Sequence, residues 1–185
     1  MARRYRRRSR RAVKTAKYSS ENYNALVQLN NVGATGTTST WVGSVVPATS
    51  VLSTRKAKNF TLRIAPDETL VRTNTGTTED PNIEESFDKG FIAWALVYLP
   101  EGTNPNRFNF GDANGAVSLY EPNQNVIMCG IASSDQVYSY KTKLARNLSA
   151  GDSIVLIVND LHSKEADETQ VVTPFAFTLN YAIAF

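Results

Sequence analysis

Sulfur and imidazole are almost absent from this chain of 185 residues, which holds one cysteine, Cys129, and one histidine, His162. A single cysteine cannot close an intrachain disulfide, which excludes a disulfide-stapled secreted scaffold. The pair cannot build a Cys/His zinc site. No apolar run reaches the ~18 residues of a transmembrane helix, so no membrane insertion is expected. The charged N-terminus is not followed by an apolar segment, so no secretory signal is expected either. A mitochondrial presequence fits the arginine richness, but the basic block lacks leucine, isoleucine and phenylalanine and has only a weak apolar face. Long helical patterning is also missing: no long segment carries apolar residues at i, i+3, i+4 and i+7. No repeat period is visible, which argues against solenoids and propellers.

Acids are absent from residues 1–17, and that absence exposes a division in the charge. The formal net charge is +3. Nine of the 20 basic residues fall in this block: Arg3, Arg4, Arg6, Arg7, Arg8, Arg10, Arg11, Lys14 and Lys17. The remainder holds 11 basic and all 17 acidic residues, a balance of −6. Seven arginines between Arg3 and Arg11 repel one another with nothing apolar to offset it, so a disordered arm is expected over residues 1–17. Polyanions neutralise such an arm, because each phosphate contact releases a condensed counterion. Arginine adds bidentate phosphate geometry and base stacking, and Tyr5 and Tyr18 can stack on unpaired bases. The segment supplies phosphate contacts but no fixed frame for base edges, so sequence specificity is not expected from it. A nuclear-import signal fits the same residues and is compatible with nucleic-acid binding. Anionic membrane binding lacks its apolar partner face. A second basic group, Arg55, Lys56 and Lys58, extends a phosphate-contacting surface if it faces the same side as the arm. Otherwise it is strand-edge charge that blocks mispairing.

Residues 18–185 form one domain that reads as strands. Gly33–Thr40 is Gly/Thr-rich and reads as a loop; it lacks the Gly-Lys-Ser/Thr ending of a phosphate-binding loop. Phe60, Leu62 and Ile64 alternate with Thr61 and Arg63, a half-buried strand. Gly90–Leu99 is a continuous apolar run ending at Pro100-Glu101-Gly102, a strand buried on both faces. Val137–Leu144 alternates through Tyr138 and Tyr140, and Ser153–Asn159 is another buried strand. At the C-terminus Phe175, Phe177, Leu179, Tyr181, Ile183 and Phe185 occupy every second position, with Ala176, Thr178, Asn180, Ala182 and Ala184 between them. A helix cannot place the six large residues on one side. The large face is expected in the core, and the small uncharged face suits close packing against another sheet or subunit. Asn82–Lys89, with Ile83 and Phe87 four apart, is expected to form a helical turn or two, and Tyr120–Asn125 a short turn. With Tyr23–Val32 and Trp41–Pro47 the total is about eight strands, an all-β sandwich or jelly roll.

The search for catalytic chemistry returns little. His162 sits in a polar loop and reads as solvated. Cys129 lies among Val126, Ile127, Met128 and Ile131 and reads as a small core residue. The acidic clusters Glu79, Asp80, Glu84, Glu85, Asp88 and Glu165, Asp167, Glu168 match no EF-hand spacing and read as solvated negative loops. No Gly-x-Ser-x-Gly elbow is present. The acceptor patterns at Asn59 and Asn147 read as accidental. The expectation is no enzyme, no cofactor and no metal site.

Three segments carry a resemblance: Phe91-Ile92-Ala93-Trp94-Ala95-Leu96-Val97-Tyr98-Leu99-Pro100-Glu101-Gly102-Thr103, Leu119-Tyr120-Glu121-Pro122-Asn123-Gln124-Asn125-Val126, and Leu144-Ala145-Arg146-Asn147-Leu148-Ser149-Ala150-Gly151-Asp152-Ser153-Ile154. With the arginine-rich arm before them, they resemble capsid proteins of the circovirus-like group of small circular single-stranded DNA (CRESS-DNA) viruses. The likeness spans roughly Tyr18 to Phe185; the arm matches in composition only. It implies an all-β, eight-stranded single jelly roll of two four-stranded antiparallel sheets, assembling as about 60 copies into an icosahedral (T=1) shell. It implies an arm pointing inward onto a packaged single-stranded DNA genome. The implied partners are other copies of the chain, that DNA, host import machinery and a receptor. The implied locations are the virion and, during assembly, the host nucleus. Two other readings stand beside it: a non-assembling nucleic-acid-binding β-domain with a basic tail, and a carbohydrate-binding or hydrolytic β-sandwich. The acidic body speaks against the first of these, since such modules usually carry basic charge on the folded surface too.

Overall fold

The computed structural model describes residues 17–104 and 125–184. The arm up to Ala16, residues 120–124 of the turn expected at Tyr120–Asn125, and Phe185 lie outside the described residues. Within them the chain is all-β, with ten strands and no helix: β1 (Ser19–Asn31), β2 (Thr40–Val46), β3 (Arg55–Pro66), β4 (Thr69–Asn74), β5 (Ile83–Asp88), β6 (Phe91–Leu99), β7 (Val126–Ser133), β8 (Tyr138–Leu148), β9 (Ser153–Asp160) and β10 (Glu168–Ala184). They form two antiparallel sheets of six and four strands. The expected eight strands in two sheets of four therefore need correction.

The reason lies along β10. On one edge it pairs with β1 from Val171 to Ile183. On the other it pairs with β3 from Phe175 to Ala184 and with β4 from Glu168 to Val172. Strands β3 and β4 thus run end to end along one line, interrupted at Asp67 and Glu68, where the Asp67 N–H still donates to the Pro174 carbonyl at 2.8 Å. Beyond them β8 lies beside β3 and β5 beside β4. Six strands therefore occupy four positions across the sheet. The four-stranded sheet has the order β2-β9-β6-β7.

Strand β5 overturns the helical turn expected at Asn82–Lys89. Its Ile83 and Phe87 have helical spacing, but the open edge of β4 pairs residue by residue with Ile83–Asp88. A ladder to a neighbouring strand outweighs a weak local preference.

The core lies between the sheets. Phe175, Phe177, Leu179, Tyr181 and Ile183 point inward from β10, as their alternation requires. Trp41 meets the Phe175 and Phe177 rings at 5.9 and 5.6 Å between centroids, and its indole lies where a side chain at Gly43 would stand. From the other sheet come Ile92, Trp94, Leu96, Ile154, Leu156 and Val158. Each such side chain contributes about 1.5–3 kcal/mol by leaving water. The alternate residues of β6 and β9, including Ala93, Ala95, Val97 and Ile157, form a second buried cluster on the opposite face. The continuous apolar run at Gly90–Leu99 is thus buried on both faces.

Candidate nucleic-acid interface

Five basic side chains share the β3–β8 part of the outer face of the six-stranded sheet: Lys56, Lys58 and Arg63 on β3, and Lys141 and Lys143 on β8; a sixth, Arg72 on β4, stands on the same face farther along. Regular alternation cannot place the β3 set together. Residues 58 and 63 are five apart, and a period of two sends them to opposite faces. Asn59 resolves this with a left-handed backbone, φ 57°, which asparagine tolerates better than most residues. The irregularity shifts the alternation by one residue, so Ala57 and Phe60 both face the core with no exposure. Lys56 and Lys58 before it, and Thr61 and Arg63 after it, all face outward. The shift spreads across neighbouring strands. Between the registers of Lys58 and Thr61, β10 runs from Ala182 to Asn180 while β8 runs from Ala145 to Lys141. The sheet fans open on the β8 side, as bulges make strands bend and twist. Lys141 pairs with Thr61 and shares its face, and Lys143 is the next residue outward on β8.

The part of this face formed by β1, β10, β3 and β8 bears no carboxylate. The outward positions of β1 from Ser20 to Gln28 and of β10 from Pro174 to Ala182 are uncharged. Carboxylates begin toward the β4–β5 end of the sheet, where Glu85 shares the outer face with Arg72. Glu84, Glu85 and Asp88 stand on exposed β5, where Glu85 accepts from Arg72 Nε at 2.8 Å. Sorting charge this way gives an acidic body a cationic region on the β3–β8 part of this face, the kind of surface to which a polyanion is attracted.

The arm joins at this face. Ser19 opens β1 opposite Ile183, which on its other side pairs with Ala57. Lys17 and Tyr18 accordingly stand at the Lys56–Lys58 end, and the Lys58 ammonium lies 3.7 Å from the centre of the Tyr18 ring. A cation on a ring face is attracted by its quadrupole, which fixes the point where the arm leaves the domain.

Of the sequence-derived site residues, Lys17, Lys56 and Lys58 meet here. Arg3, Arg4, Arg6, Arg7, Arg8, Arg10, Arg11 and Lys14 lie outside the described residues. Arg55 belongs to neither the face nor the surface. It is 4 % exposed, and its guanidinium donates to the carbonyls of Pro47 at 2.9 Å and Asp152 at 3.1 Å. Arg63, Lys141 and Lys143 were not singled out. Their signal was present as the charged members of alternating runs, but neither the register of β8 on β3 nor the shift at Asn59 is written in one strand.

Other candidate groups have structural partners. Asp152 accepts from the Tyr98 hydroxyl at 2.7 Å and from the Ser149 and Glu101 N–H groups at 2.7 and 3.1 Å. Burial pushes its carboxyl up, but these donors and the nearby Arg55 charge bring it below the ordinary value. Asp160, fully buried, accepts from Thr173 Oγ1 at 2.7 Å and from the His162 N–H at 3.0 Å. There desolvation wins and the carboxyl is raised. Because Asp160 is on β9 and Thr173 on β10, this bond ties the two sheets. His162 is not freely solvated: its Nε2 lies 3.4 Å from Glu168 Oε1. Glu168 also leaves the expected solvated cluster, being 9 % exposed and accepting from the Glu165 N–H at 2.7 Å. Cys129 is half-buried against the second apolar cluster, and burial pushes its thiol up, away from the reactive thiolate. Among the described residues no group of three or more His, Cys, Asp or Glu is arranged to hold a metal ion.

No family model matches this chain, and no curated protein matches it. Among solved structures, it is similar to a chain from work on Bacillus endospore appendages, described as a novel family of disulfide-linked pili. The identity is 10 %, the match covers 89 % of each chain, and the TM-score is 0.28. A likeness that weak carries no functional argument.

Proposed function

We propose that this chain is a viral capsid subunit that self-assembles into a small icosahedral shell of about 60 copies and packages single-stranded DNA through its arginine-rich arm. The observation that carries this reading is the sorting of charge: an acidic body with one cationic face, and an arm of nine basic residues joined to that face at Lys17–Tyr18. One protein surface is thereby assigned to polyanion, and the others remain available for contacts between copies. Arms from about 60 subunits would supply about 540 positive charges to a confined genome.

The jelly-roll reading draws support from the pairing order. If β4 and β5 are treated as extensions of the β3 and β8 lines, eight strands remain. The first pairs with the last (β1 with β10), and then β2 with β9, β3 with β8 and β6 with β7. Such nesting is what a long hairpin gives when it is rolled into two facing sheets. Jelly rolls close small capsid and lectin domains in this way.

The test is electron microscopy of purified protein, with absorbance at 260 and 280 nm, for the full chain and for a variant lacking residues 1–17. Shells holding nucleic acid are expected from the full chain, and shells nearly free of it from the truncated one. Truncated shells that package normally would rule out the arm assignment. Small monomers or dimers under all conditions would favour the non-assembling nucleic-acid-binding domain.

A further inference from the structure

We propose that the border between β3 and β10 on the cationic face seats unpaired nucleobases, so that this face binds single-stranded nucleic acid in preference to a bare sugar-phosphate chain or a duplex. The inference rests on the nucleic-acid reading above and goes beyond it by assigning a base-binding site.

Two parallel rows of different chemistry meet at this border. On β3 stand Lys58, Thr61, Arg63 and Ala65; their partners on β10 are Ala182, Asn180, Thr178 and Ala176. The first row carries the cations Lys58 and Arg63, and the second is small and uncharged. Neighbouring strands lie about 4.8 Å apart, so an anionic backbone held on one row brings its bases over the other. A surface selecting for phosphate alone gains nothing from an uncharged strip at its centre.

The strip is also recessed. A depression of about 190 Å³ opens between Arg63, Ala65, Val137, Ala176 and Thr178. Its floor is the backbone around Ile64 and Phe177, whose side chains turn into the core. Ala65 and Ala176 face each other with only methyl groups, while Arg63 and the 67 % exposed Val137 rise at the sides. A flat, partly apolar base fits between an isopropyl wall and a guanidinium plane, and arginine stacks on such a base. A larger cleft of about 400 Å³ follows along the same strand, lined by Asn59, Thr61, Lys141, Thr142 and Lys143. It combines hydrogen-bonding groups for a base edge with two cations for the adjoining phosphates. In a duplex the bases are stacked inside, and a broad sheet face reaches only the phosphates.

The test uses the full chain and fluorescence anisotropy at fixed salt. The probes are oligothymidylate, an abasic sugar-phosphate strand of equal length, and a duplex of equal length. Oligothymidylate is expected to bind at least about fivefold more tightly than the abasic strand. Filling the depression with Ala176→Leu, at an exposed position, is expected to reduce that ratio while leaving the salt dependence unchanged. Ala65→Leu is expected to do the same from the other strand. Equal binding of oligothymidylate and the abasic strand overturns the base seat while the packaging reading stands. A ratio unchanged in both variants, or a duplex bound as tightly as oligothymidylate, does the same. Failure to bind any of the three overturns the nucleic-acid reading itself.

Discussion

Arg55 shows how adjacency in sequence misleads at the scale of the residue. It stands next to Lys56, but consecutive strand residues point to opposite faces. Its guanidinium therefore goes to the carbonyls of Pro47 and Asp152, while its neighbour goes to solvent. Asp152 and Asp160 show the same dependence on context with opposite signs. Asp152, lowered by its donors, stabilises the fold above its unfolded value of about 3.9, and this contribution is lost as pH falls through its folded value. Asp160, raised by burial, stabilises the fold below that unfolded value, and its contribution is lost as pH rises through its folded value. Thermal melting between pH 3 and pH 7 should separate them. Asp160→Asn is expected to gain on the parent protein as pH rises, and Asp152→Asn to lose most near neutrality and least in acid. Parallel pH profiles for the parent and both variants would contradict these assignments.

At the scale of the element, the shift at Asn59 determines what β3 presents. The alternation Phe60-Leu62-Ile64 was legible in the sequence, and so was the strand. The phase change one residue earlier was not, because an asparagine in a polar stretch is equally ordinary in a regular strand. Asn59→Gly keeps the left-handed backbone accessible and should melt within about 1 kcal/mol of the parent. Asn59→Val places a β-branched residue at φ 57° and should cost about 1–3 kcal/mol. Urea unfolding measures both. The valine variant should also bind oligonucleotide more weakly, because relieving the strain sends Lys56 and Lys58 out of line with Arg63. β5 was misread for the complementary reason: its helical spacing is real, but the unpaired edge of β4 is visible only in three dimensions.

At the scale of the whole molecule, the packaging proposal draws on two sources of positive charge, the basic residues of 1–17 and the folded face, and their effects should be separable. On that proposal, Lys56→Gln, Lys58→Gln and Arg63→Gln combined would remove three phosphate contacts from the folded domain and leave the sequence of residues 1–17 intact. The slope of log affinity against log salt for single-stranded DNA should fall by about 2, at ~0.7 per contact. Shell formation should persist. An unchanged salt slope would mean that the face does not touch the polyanion.

The sequence by itself determined the basic arm, the acidic balance of the remainder, the β class and the inward row of β10. Each follows from composition or from a period of two within one strand, so no partner strand has to be known. Only the tertiary structure decided that β3 and β4 share one edge of β10 and that β5 pairs. It also buried Arg55, and it brought Lys56, Lys58, Arg63, Lys141 and Lys143 onto a single face. These depend on register between strands distant in sequence and on one left-handed residue. A one-residue slip in either would send the same side chains to the opposite side of the sheet.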